Sequence, residues 1–310
     1  MRVVMVTKAI VPVAGTGSRF LPASRSVSKE MLPILEKPAL QYAIEEGVRS
    51  GIKNFVMVTG KNRELVQSHF DPINERDFMA MPQANQHALA SLHKSVYAAD
   101  FSYVPQHEPA GLGHAVWSAR HAIGKEHCAI MLPDDIIHGP VPGIAQLIKI
   151  AQQEKCNIVA VQEVPGKDIS RYGVVAIKKQ FSPNLFQVKE LVEKPSTAQA
   201  PSNLAIVGRY VLSPSIFDSL EELNAQSTGE IQLTDGIQNL LFSGEKVFAY
   251  KIQGTRYDIG SPLGYLKANL AFALKSAQYQ EEMTQYLSEL DRDMLVMQGK
   301  AESLGKHAGL

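Results

Sequence analysis

The chain is poor in the features that hold or address proteins by covalent or membrane means. Cys128 and Cys156 are its only cysteines, too few for a disulfide framework and not spaced as a C-x-x-C pair. Buried thiols in a reducing cytoplasm are the expectation. No apolar run reaches the ~18 residues that would cross a bilayer, and the short stretch before Lys8 lacks the apolar region of a signal peptide. No membrane partner is expected. Charge of one sign is not in excess, with 31 basic against 31 acidic side chains, which leaves no cationic surplus for a nucleic-acid backbone. Internal repeats are absent, and so are an H-E-x-x-H zinc pair, a G-x-S-x-G elbow and a P-loop. What remains, 45% hydrophobic and 20% charged over 310 residues, is the composition of a globular protein of one large or two medium domains.

Short β-branched runs bounded by Gly and Pro recur at Ala9–Val13, Asn54–Thr59, Ala129–Leu132 and Asn157–Val161. Each reads as a buried strand. Between the first two lies 38–50, where Leu40, Ile44 and Val48 share one helical face and Gly51 follows as a stop. Further helices are expected at His114–Ile123 and Gly143–Lys155. Alternation of strand and helix predicts an α/β fold, a Rossmann-like mixed, mostly parallel sheet flanked by helices. Residues 172–212 read as extended segments with turns at 182–184 and 201–203, a small antiparallel insertion. From Ser261 the chain reads as a C-terminal helical tail. Its apolar stripe, Tyr279, Met283, Tyr286, Leu290, Met294 and Met297, is read as packing back on its own domain in preference to forming a subunit contact.

The first strand runs into Ala14-Gly15-Thr16-Gly17-Ser18-Arg19. Glycines there let a backbone approach a ligand and offer amide N–H groups to phosphate oxygens, or simply make a tight connection. Phe20 occupies the third glycine position of the dinucleotide fingerprint and excludes it. Arg19, Arg25 and Lys29 follow closely, cations suited to a triphosphate. Asp134 and Asp135 emerge from the strand ending at Leu132, where open α/β sheets collect ligands, and serve either as hard oxygen donors for Mg²⁺ or as ordinary loop caps. Gln106 precedes a Gly111-Leu112-Gly113 turn; its amide suits the edge of a pyrimidine or is a solvated loop residue. Glu193-Lys194-Pro195 pairs a carboxylate with an ammonium, which on its own reads as a solvated turn. No nucleophile and base are paired anywhere.

Together with Lys29-Glu30-Met31-Leu32-Pro33, Leu132-Pro133-Asp134-Asp135, Tyr172-Gly173-Val174-Val175, the segment 205–212, the segment 230–235 and Tyr257-Asp258-Ile259-Gly260, these stretches resemble, in order along 8–272, the sugar-1-phosphate nucleotidylyltransferases. Within them the chain is most similar to the bacterial UTP–glucose-1-phosphate uridylyltransferases. The resemblance implies uridylyl transfer from UTP to glucose 1-phosphate with Mg²⁺ held by Asp134 and Asp258. It implies Arg19, Lys29 and Lys194 as catalytic cations, Ala14, Gly15, Gln106 and Gly111 for the nucleotide, and Gly173 and Glu193 for the sugar. A catalytic domain over 1–272 with a helical extension over 273–310, a cytoplasmic enzyme and a homo-oligomer, dimer or tetramer, are the accompanying expectations. Ser18, Arg25 and Ser28 depart from the family's usual Thr, Lys and Pro. Thymidylyl transfer and a weakly active regulatory paralogue are the rival readings.

Overall fold

The computed structural model describes residues 5–60, 63–226 and 229–292. The chain opens with β1 (Lys8–Val13), a two-residue ribbon β2–β3 (Pro33–Ile34, Lys37–Pro38), α1 (Ala39–Arg49) and β4 (Asn54–Thr59). Three helices follow, α2 (Arg63–Phe70), α3 (Glu75–Ala80) and α4 (Gln83–Tyr97), then β5 (Asp100–Pro105), α5 (Leu112–Ser118), α6 (Arg120–Ile123), β6 (Cys128–Met131) and β7 (Asp135–His138). Next come α7 (Gly143–Glu154), β8 (Asn157–Glu163), the hairpin β9–β10 (Gly173–Ser182, Leu185–Glu193) and β11 (Leu204–Leu212). The described part closes with α8 (Ser215–Gln226), α9 (Leu233–Phe242), β12 (Val247–Lys251), β13 (Thr255–Asp258) and α10 (Pro262–Ala273), after which 280–292 is again helical.

Nine of the described strands form one sheet in the order β5-β4-β1-β6-β11-β8-β12-β10-β9. Successive residues of its strands feed opposite faces. Ala9, Val11 and Val13 join one core with Leu40, Ile44, Phe55 and Met57, whereas Ile10 joins the other with Val56, Val58, Val116 and Ile130. A sheet buried on both faces is why the strands read as apolar runs rather than alternating ones. The first four strands in the sheet order are parallel, as is β8 with β12. The antiparallel part is larger than the small insertion expected. The β9–β10 hairpin sits at the sheet edge, but β11, buried along its whole length, runs antiparallel in the middle, between β6 and β8.

The helix expected over 114–123 starts earlier, at Leu112, and breaks at Ala119 into α5 and α6. At the C-terminal end the stripe does not pack back throughout. Tyr279 and Met283 border a cavity with Leu35 and Glu36, and the Tyr279 hydroxyl donates to Glu36 Oε1, but Tyr286 and Leu290 are 53% and 39% exposed. Tyr286 still borders that cavity, but no residue of helix 280–292 is buried, so the described stripe is only partly covered. Met294 and Met297 lie outside the described residues. Both cysteines are buried, and burial pushes each thiol up to about 12. Among the described residues no helix is long and apolar enough to cross a membrane.

Candidate active site

Parallel strands β1, β4, β5 and β6 all end at the same edge of the sheet, which brings the glycine turn, Gln106 and Asp134 together. In the turn after β1, Gly17 adopts a left-handed φ of 61°, and a Cβ there would lie 2.9 Å from Ser24 Cβ. Ser24 Oγ donates to the Gly17 carbonyl at 2.7 Å and closes the turn. The amide N–H groups of Gly15, Thr16 and Gly17 donate to no other described residue, leaving them for a ligand. Arg19 Nη1 reaches the Gly260 carbonyl at 3.3 Å, while Arg25 is exposed and lines none of the cavities described below.

Lys29 Nζ donates to Asp134 Oδ2 at 2.6 Å and lies 3.8 Å from Glu30 Oε1. Burial alone would lower the ammonium's pKa, but the Asp134 and Glu30 carboxylates outweigh it and hold it above the usual lysine value. Burial likewise acts to raise Asp134, and the Lys29 charge and hydrogen bond overcome it, holding the carboxylate below its usual range. Glu30, 2% exposed, is pushed up to about 7 by desolvation, only partly offset by Lys29.

Strands β7 and β13 pair antiparallel with Asp258 opposite Asp135, and Ile259 N donates to the Asp134 carbonyl at 2.9 Å. A Cβ placed on Gly260 would lie 3.1 Å from Asp258 Oδ1 and 3.4 Å from Asp134 Oδ2, so the two carboxylates flank a single point. Asp258 Oδ2 accepts from Tyr172 Oη at 2.8 Å and lies 3.4 Å from Arg171 Nη2. Asp135 does not share that space. It is buried, paired at 2.6 Å with Arg256, and accepts from Gly208 N at 2.8 Å.

On the β5 side, Gln106 Nε2 donates to the Gly111 carbonyl at 3.2 Å and meets His114 Nδ1 at 2.9 Å. A carbonyl can only accept, which fixes the amide orientation and makes His114 Nδ1 the neutral acceptor. Burial holds the His114 pKa below its ordinary 6.5. Gln106 Oε1 is left for an incoming donor. Gly111 has φ 96°, and a Cβ there would fall 2.6 Å from the Ile231 carbonyl, so the turn tolerates only glycine beside the 230–232 backbone.

At the open end of the hairpin, Gly173 pairs with Glu193. Glu193 Oε2 accepts from Thr234 Oγ1 at 2.8 Å and its Oε1 lies 3.1 Å from Lys194 Nζ. Lys194 has φ 44°, a left-handed conformation unfavourable to a side-chain-bearing residue.

Three cavities cover this edge. One of about 410 Å³ is lined by Ala14, Gly15, Lys29, Gln106, Gly111 and Asp134. A second, about 360 Å³, is lined by Arg19, Asp134, Gly173, Glu193, Lys194 and Asp258. A third, about 310 Å³, follows the glycine turn from Gly15 to Arg19 and also touches Lys29 and Asp134. Arg25 apart, every residue singled out from the sequence as a site residue lines at least one of them, and Asp134 lines all three. Sequence reasoning missed Tyr172, Arg256, Thr234 and His114. The signal for all four was their position beside or inside the stretches that carry the resemblance, His114 directly after Gly111-Leu112-Gly113; the bond to Gln106 is what distinguishes His114.

Residues 8–275 match the family model described as nucleotidyl transferase. The chain belongs to the nucleotidyl transferase family. Its sequence is 43% identical over 287 residues to UTP–glucose-1-phosphate uridylyltransferase 1 of Staphylococcus saprophyticus, covering 93% of this chain and 99% of that one. It is 43% identical over 285 residues to the Bacillus subtilis UTP–glucose-1-phosphate uridylyltransferase, covering 92% and 97%. Among solved structures, a UDP-glucose pyrophosphorylase complexed with UDP-glucose superposes with a TM-score of 0.80 at 37% identity, over 88% of this chain and 100% of that one. A UTP-bound UGPase from Acinetobacter baumannii does so with a TM-score of 0.81 at 36% identity, over 92% and 100%. This nucleotidyl transferase is therefore an α/β enzyme with a mixed sheet.

Proposed function

We propose that this nucleotidyl transferase catalyses uridylyl transfer from UTP to α-D-glucose 1-phosphate, giving UDP-glucose and pyrophosphate. The observation that carries the proposal is the meeting of the three cavities at Asp134, a base-recognising amide on one side and a carboxylate–ammonium pair on the other. Uracil N3–H donates to Gln106 Oε1, and O4 accepts from the Gly111 amide. Gly15 and its neighbours direct N–H groups at the triphosphate, with Ala14 against the nucleoside. Glu193 accepts hydrogen bonds from hexose hydroxyls over the bare Gly173 backbone, and Lys194 holds the sugar phosphate.

Asp134 and Asp258 are the groups that would hold Mg²⁺. The donor set fits: two hard carboxylates flank one point. That suits an ion which takes one or two carboxylates and completes its shell with phosphates and water. When bound, it would supply positive charge that offsets the repulsion between the two anionic substrates.

The reaction needs no side-chain base, because the attacking oxygen belongs to an already ionised phosphate monoester. The P–O bond to uridylyl forms as the bond to pyrophosphate breaks, in line. Lys194 orients the attacking oxygen, while Arg19 and Lys29 neutralise charge passing to the leaving pyrophosphate. Consistent with this, Asp134, Asp258 and Glu193 are each already engaged with a cation, an arrangement for holding charge rather than moving protons.

Asp134→Asn keeps shape and loses charge; turnover should fall by about 10³-fold or more. Near wild-type pyrophosphate release would remove Asp134 from the mechanism. A panel of nucleoside triphosphates and sugar 1-phosphates, read as released pyrophosphate, tests the substrates: preference for dTTP would make the enzyme a thymidylyltransferase, and no turnover with any pair a regulatory paralogue. The catalytic unit is 1–272 and the extension 273–310. The enzyme is cytoplasmic, as its buried free thiols favour, and a homo-oligomer, dimer or tetramer, supported by Leu263 and Leu266 on α10 being 62% and 63% exposed.

A further inference from the structure

β11 is buried along its whole length, yet carries an arginine at its centre. Arg209 is 0% exposed. Its Nε and Nη2 grip Glu46 of α1 at 3.0 and 2.7 Å. The remaining donors go to three carbonyls: Nη1 to Leu132 and Gly208, both at 2.8 Å, and Nη2 to Asp135 at 2.9 Å. All five N–H groups of the guanidinium are thereby used. Glu46 Oε1 also accepts from Ile144 N at 2.7 Å, in the first turn of α7, so the carboxylate is tied to a second helix.

The geometry of those carbonyls is informative. Leu132 and Asp135 bracket Asp134, so one buried side chain holds both ends of the short segment that carries this carboxylate. The same segment continues the hold, since the Asp134 carbonyl takes Ile259 N beside Asp258. Burying an ion pair contributes little net stability compared with apolar side chains of similar volume, because desolvation offsets the attraction. An apolar side chain, however, cannot fix two carbonyls from inside the protein. We propose that Arg209, anchored by Glu46, is a positioning residue that sets Asp134 relative to Asp258. The inference rests on the reading of those two aspartates given above.

The test uses Arg209→Met/Glu46→Leu, which fills the space without the charges, and Arg209→Lys, which keeps a cation against Glu46 but lacks the planar fork needed to reach the carbonyls. Three quantities are read: melting temperature, kcat with both KM values, and Mn²⁺ binding to the enzyme–UTP mixture by electron paramagnetic resonance. Expected in both variants are kcat lower by about 100-fold, Mn²⁺ affinity lower by about 10-fold or more, and a KM for glucose 1-phosphate within about threefold of wild type. General loosening would instead raise both KM values in step with a lower melting temperature. Folded variants with wild-type kcat and Mn²⁺ affinity would reduce Arg209 to core filling and overturn the proposal. Should the double replacement not fold, Arg209→Lys decides on the same readouts. Asp134→Asn separates the two layers. If it leaves Mn²⁺ binding intact, the reading of Asp134 fails; if it abolishes binding while the Arg209 variants retain it, the positioning role alone fails.

Discussion

Adding one methyl group at Gly173 should damage sugar handling and spare the nucleotide. The alanine Cβ would lie 2.9 Å from Thr234 Oγ1, 3.1 Å from Glu193 Oε2 and 3.2 Å from Ile206 Cδ1. The first contact is about 0.5 Å short of comfortable van der Waals separation. Gly173 does not have a left-handed φ, so the alanine brings no backbone strain and the effect is steric alone. Relief requires Thr234 and Glu193 to move apart from the strand, together or against their own 2.8 Å hydrogen bond. Misplacing the carboxylate forfeits one charged hydrogen bond to the hexose, about 1.5–3 kcal/mol, so kcat/KM for glucose 1-phosphate should fall by about 10–150-fold. Overpacking of a buried position also lowers stability by about 1–3 kcal/mol, which a thermal melt reports. Pyrophosphate release at saturating UTP gives the sugar constants, and calorimetric titration with UTP alone gives the nucleotide affinity. Equal losses on both substrates, or an unchanged kcat/KM for glucose 1-phosphate, would refute the assignment of Gly173 to the sugar.

Gly111→Ala should do the converse, raising the KM for UTP with little effect on glucose 1-phosphate, because its Cβ would meet the Ile231 carbonyl at 2.6 Å at a φ of 96°; steady-state kinetics on each substrate check it. Lys194→Gly should separate stability from activity. Relief of a left-handed backbone worth about 1–2 kcal/mol offsets the entropy that glycine adds to the unfolded chain, so the melting temperature holds or rises slightly while kcat/KM for glucose 1-phosphate falls by about 10-fold or more. The Gln106–His114 bond predicts a pH dependence. Neutral His114 Nδ1 is the acceptor, and its pKa lies below 6.5 because of burial, so the bond survives at and above that pH and is lost as pH falls through the depressed value. The KM for UTP of wild type, taken as a ratio to that of His114→Phe so that titration of UTP itself cancels, should be flat above pH 6.5 and rise only below it.

The strands of the parallel half were legible because a sheet covered on both faces leaves uninterrupted runs such as Asn54–Thr59, whose bounds the structure reproduces. Helices α2 to α4 were not. They bury only Val66, Phe70, Phe78, Leu92, Ser95 and Val96, too few apolar residues to stand out from a polar stretch. Glycines of the site announced themselves, since close backbone approach at Gly111 and Gly173 excludes other residues. Arg209 was in plain view inside the segment 205–212, a lone charge among apolar neighbours, but its partner Glu46 is 163 residues away, and no local pattern encodes that pairing. The same distance problem hid Thr234 behind Glu193 and Tyr172 beside Asp258.

The β7–β13 ribbon joins a residue made before mid-chain to one made near the end of the described fold. Most of the large sheet can be completed by a nascent polypeptide before Asp258 leaves the ribosome. Such a chain can present the glycine turn and Gln106 yet lacks Asp258, half of the carboxylate pair. If Asp134 and Asp258 act together as proposed, the ribbon is a completion check: a prematurely terminated or proteolytically clipped product that ends before β13 should release no pyrophosphate from nucleoside triphosphate, however well the rest of it has folded.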